Sequence, residues 1–220
     1  EVDITRGNLN PLPLAVSPLS VDQNSKEKFK DLLKLDDIGA EISKVVENNL
    51  RQSGLFNPLD PKAFLQKPDI AHVKPRFEDW ALIKAQALIT GEVKIVDEKL
   101  RVEFRLWDIL AGKEIMALAF TTVSENWRRV GHIITDKVYQ RLTGEKGYFD
   151  TRIIYVAEEG PKTSRIKKLA IMDQDGFNTK YLTLGNELVL TPRFNPTNQM
   201  VTYLSCCLLY TSPSPRDGLL

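Results

Sequence analysis

Between Trp127 and Leu142 the sequence holds one period long enough to define a rigid element. Trp127, Val130, Ile134, Val138 and Leu142 fall three or four residues apart, so in an α-helix they form a single apolar stripe. Ser124 or Asn126 is placed to cap the first turn, where a side-chain oxygen accepts from a backbone N–H that has no partner inside the helix. Arg141 suits the negative end of the helix dipole, and Gly144 marks the stop. After Gly147 the period shortens, because Ile153, Ile154, Tyr155 and Val156 are β-branched or aromatic and read as a strand. This change of period predicts a domain seam near Tyr148.

Upstream of that helix the sequence predicts a sheet. Ile89, Gly91, Val93 and Ile95 share one parity, and Thr90, Glu92 and Lys94 the other. Beyond the turn at Asp97-Glu98-Lys99, Leu100, Val102, Phe104 and Leu106 alternate with Arg101, Glu103 and Arg105. Such alternation predicts one wet face and one buried face. The next strand, Ile115 to Val123, is apolar at both parities, which predicts a central position. Earlier still, Asp36 or Asp37 caps a helix carrying Ile38, Ile42, Val45, Val46 and Leu50, ending at Gly54. Leu12 to Leu19 suits a short strand, and lysine-rich Ser25 to Leu35 a short amphipathic helical turn. Gly54 to Asp60 reads as a strand entry interrupted by Pro58 and Pro61, which places it at a sheet edge. Asp69 to Pro75 reads as a loop, and Phe77 to Leu82 as a short helix. The fold class expected is α/β, a mixed sheet with packed helices.

Beyond Asp150 only strands are expected. Arg152–Ala157, Lys168–Met172, Lys180–Leu184 and Met200–Leu204 are separated by turns, among them Asp173-Gln-Asp-Gly176 and Pro192-Arg-Phe-Asn-Pro-Thr-Asn198. Asp175-Gly176 is a hairpin signal, since glycine accepts the positive φ of tight turns. Four short strands make one blade of a β-propeller.

Composition narrows the function classes. Lys plus Arg total 30 against 29 for Asp plus Glu, and no basic stripe interleaved with aromatics calls for nucleic acid. No apolar run approaches the ~20 residues that span a bilayer as a helix. The first residue is Glu1 rather than methionine, which a removed secretory signal peptide would explain. The two cysteines, Cys206 and Cys207, are adjacent and leave the rest of the chain without a disulfide framework or thiolate zinc site.

Catalytic patterns are missing from the sequence: no Gly-x-Ser-x-Gly elbow, no His-Glu-x-x-His, no phosphate loop. His72 reads as a surface loop residue, and His132 as a packed imidazole on the long helix. Asp173 and Asp175 lack a downstream acid at the spacing a calcium loop needs, so they read as turn formers. Glu158 and Glu159, with Arg165, Lys167 and Lys168, read as solvated strand edges. No enzyme activity, cofactor or metal is expected.

The run Leu142-Thr-Gly-Glu-Lys-Gly-Tyr-Phe-Asp-Thr-Arg-Ile-Ile-Tyr-Val156 closely resembles the domain junction of the TolB family, propeller proteins of the bacterial Tol-Pal system. Gly54-Leu-Phe-Asn-Pro-Leu-Asp60 and Leu169-Ala-Ile-Met-Asp-Gln-Asp-Gly-Phe-Asn178 resemble the same family, while Ser25 to Leu35 looks like an insertion relative to it. Pro192-Arg-Phe-Asn-Pro-Thr-Asn198 matches the family's turn only in part, with Phe194 for tryptophan and Thr197-Asn198 for Asp-Gly.

The resemblance implies a mobile arm over 1–12, an α/β domain over 13–148, the first blade or blades of an incomplete β-propeller over 149–205, and a tail over 206–220 that looks non-native. It also implies a non-enzymatic periplasmic scaffold that maintains outer-membrane integrity and supports constriction at cell division. Its partners would be TolA, held by arm residues Glu1, Val2, Asp3, Ile4, Thr5, Arg6 and Gly7, and the lipoprotein Pal, held by downstream propeller blades. Through Pal such a protein would be peripheral to the outer membrane without spanning it. The alternative is the propeller portion of a periplasmic serine hydrolase or peptidase whose catalytic domain lies elsewhere.

Overall fold

The apolar run between prolines forms β1 (Leu12–Val16), which lies inside a six-stranded sheet rather than at its rim. The computed structural model describes residues 10–206, apart from 72, 163 and 199. The chain divides after Asp150 into two units.

In the first unit the helices follow from their caps and stripes. Asp22 accepts from Ser25 N and starts α1 (Gln23–Leu33), a full eleven-residue helix where the sequence predicted a short turn. Asp37, not Asp36, caps α2 (Ile38–Gln52) by accepting from Ala40 N. The segment expected as a loop after Asp69 includes a one-turn helix, α3 (Pro68–Ala71), followed by α4 (Phe77–Leu82). The long stripe becomes α5 (Trp127–Thr143), which Gly144 ends in the left-handed conformation at φ 81°. Neither expected cap is used there: Ser124–Asn126 form a 3₁₀ turn, and Asn126 makes no side-chain cap bond.

The strands are β2 (Ser20–Val21), β3 (Phe56–Pro58), β4 (Ala87–Val96), β5 (Lys99–Asp108) and β6 (Lys113–Thr122), in the order β3-β1-β4-β5-β6 with β2 also on β4. The pairs β1–β3, β1–β4 and β2–β4 are parallel, and β4–β5 and β5–β6 antiparallel, which makes the sheet mixed. β6 is therefore an edge strand, against the expectation that it is central. Its two apolar parities have different causes: Met116 and Phe120 pack toward the core, whereas Ala117 and Ala119 are small and exposed.

Helices α2 and α5 cover one face of the sheet, burying Ile42, Val46, Leu50, Val130, Ile134 and Val138 against Ile89, Val93, Val102 and Phe104. Trp127, the first residue of the apolar stripe, is only partly buried. Gly131 lets the helices close up, since a methyl group there would lie 2.9 Å from Val45 Cγ1. The other face is not uniformly wet. Trp80 of α4 packs with Ala15, Leu88 and Trp107 in a second cluster, and Thr90 is buried as it accepts from Trp107 Nε1 at 2.9 Å.

The second unit is all β. Strands β7 (Arg152–Glu159), β8 (Ile166–Asp173) and β9 (Lys180–Tyr181) form one antiparallel sheet, and β10 (Leu188–Phe194) pairs with β11 (Val201–Cys206) in another. The sequence reading missed β10, because Pro192 looked like part of a turn. A register shift between Leu190 and Arg193 accommodates the proline inside the strand. The three-stranded sheet is one strand short of a four-stranded propeller blade, and β10 and β11 form a separate two-stranded sheet. The turn at Asp175-Gly176 joins β8 to β9 as expected, with Gly176 at φ 86°.

Candidate functional site

Arm residues Glu1–Gly7 lie outside the described residues, but the point where the arm meets the fold is well built. Leu12 N donates to Leu55 O at 2.9 Å, and Pro13 O accepts from Gln86 N at 3.0 Å. The chain thus enters between β3 and β4, held on both sides. Leu12, Gln86, Ala87, Asp108, Leu110, Ile115 and Leu142 line a shallow cleft of about 140 Å³ at this root.

The C-terminal end of the first unit is tied down by a carboxylate. Asp136 of α5 accepts from Phe149 N at 2.7 Å and from Asp150 N at 3.1 Å. Arg129, two turns earlier, binds Asp150 through both carboxylate oxygens, at 3.0 and 3.1 Å. Tyr139 meets Phe56, Tyr148 and Phe149 edge-on, so α5 carries the end of the unit on an aromatic cluster. Burial, reinforced by neighbouring Tyr139, pushes the Tyr148 hydroxyl above the ordinary tyrosine range.

His132 is buried and has a structural setting. Asn49 of α2 donates to its Nδ1 at 2.9 Å and to Thr135 Oγ1 at 3.2 Å, while Thr135 Oγ1 donates to Gly131 O at 2.8 Å. The imidazole is 2% exposed. His72 lies outside the described residues. A second cleft, about 210 Å³, lies between Ser17-Pro18 and Pro61–Pro68. Its lining residue Gln66 is spent on local order: it donates to Lys74 O and accepts from Arg76 N and Trp80 Nε1.

In the second unit, Glu158 and Glu159 are exposed and face cations across the β7–β8 ladder. Lys167 and Arg165 hydrogen bond to Glu158 and hold its carboxyl below the ordinary range, and Lys168 with Tyr181 does the same for Glu159. These groups stitch two strands together at the surface, which adds the pairing to the solvated edges read from the sequence.

An α/β domain with a sequestered histidine, followed by antiparallel sheets of three and two strands, defines a mixed α/β domain joined to part of a β-propeller. The chain belongs to the TolB family: the family model for the TolB amino-terminal domain matches residues 1–115, and that for the TolB beta propeller domain matches residues 139–209. A relative from Pelagibacter ubique, the Tol-Pal system protein TolB, is 84% identical over all 220 residues. The chain spans 48% of that relative's length. The crystal structure of TolB from Acinetobacter baumannii shares the fold with a TM-score of 0.69 at 23% identity, over 88% of this chain and 43% of that one. Among the described residues no helix is long and apolar enough to cross a membrane.

Proposed function

We propose that this chain is a non-enzymatic part of the Tol-Pal system. Its arm, Glu1–Gly7, binds TolA as an extended peptide or added strand, and its propeller, in full, binds Pal. The protein acts in the periplasm, peripheral to the outer membrane through Pal, and serves outer-membrane integrity and constriction at division. The observation that carries this reading is the 84% identity to a Tol-Pal system protein TolB. The seating of Leu12 between β3 and β4 supports it, because an arm leaving an anchored root can bind a partner without disturbing the core. The domain division proposed with it is an arm over 1–12, an α/β domain over 13–148, propeller strands over 149–205 and a tail over 206–220.

Deletion of residues 1–7 tests the reading. TolA binding, measured by calorimetry, should be lost while the melting temperature moves by less than about 2 °C, a shift that corresponds to no more than ~1 kcal/mol in a chain of this size. Full TolA binding by the shortened chain would place the contact elsewhere.

A further inference from the structure

We draw no further inference here: the strongest candidate, the edge of the six-stranded sheet along β6, which among the described residues pairs only with β5, carries nothing, because nothing in the structure shows what covers it.

Discussion

The side-chain amide of Asn49 joins two helices by donating to Nδ1 of His132 at 2.9 Å, with both residues buried. The same amide nitrogen also donates to Thr135 Oγ1 at 3.2 Å, and because an amide N–H only donates, Nδ1 stands as the acceptor in this pair. Asn49→Leu removes the donor and leaves a buried nitrogen unsatisfied, which should cost about 1–3 kcal/mol. Chemical denaturation measures that loss, and nitrogen shifts of the imidazole report the tautomer.

Ile134 lies on the α5 stripe, 1% exposed, within the cluster that joins both helices to the sheet. Ile134→Ala should destabilise the first unit by roughly 2–5 kcal/mol, the range for a large-to-alanine change in a packed core. A variant that unfolds at the parent's denaturant midpoint would remove the stripe from the core.

Asp136 holds the last two residues of the first unit by their backbone N–H groups. Hydrogen bonds to an ionised group contribute about 1.5–3 kcal/mol, so Asp136→Ala should lower stability by an amount of that order. The accompanying sign is local: exchange of the Phe149 and Asp150 amides should accelerate more than exchange within β4 and β5.

Asp22 caps α1, and the Ser25 hydroxyl is the main reason its carboxyl titrates below the ordinary value. A depressed carboxylate stabilises the fold above its unfolded pKa, and that contribution disappears as pH falls through the folded value. The cap's contribution should therefore be complete at neutral pH and decline only once the pH falls below the ordinary carboxylate range. Asp22→Ala, expected to cost about 1 kcal/mol at pH 7, should match the parent more closely in acid. An equal gap between them at pH 7 and pH 3 would remove the carboxylate from the account.

The second unit buries little of its own apolar surface. Leu169, Ala170 and Val189 are its buried apolar residues among those described, while Ile153, Ile166, Phe177, Leu184 and Phe194 are exposed. Few buried contacts imply low local stability. Limited proteolysis of this chain should cut within 151–206 before it cuts within 10–150, as mass spectrometry of the fragments would show. Equal resistance of both parts would mean that the second unit is self-sufficient.

What the sequence by itself determined is local. The stripe from Trp127 to Leu142, the stop at Gly144, the cap before Ile38 and the alternation in β5 all appear in the structure as helices and a strand. Each is encoded among residues a few positions apart, where backbone geometry alone brings them together. Only the tertiary structure decided which elements are neighbours. β6 looked central because it is apolar at both parities, yet parity reports the two faces of a strand and is silent about its two edges. Pro192 looked like a turn until the pairing of β10 with β11 showed a register shift that accommodates it. The Asn49–His132 bond spans 83 residues of chain, and no periodicity carries information over that distance. Strand order, edges and buried polar pairs arise from packing between segments remote in sequence, which is why they became visible only in three dimensions.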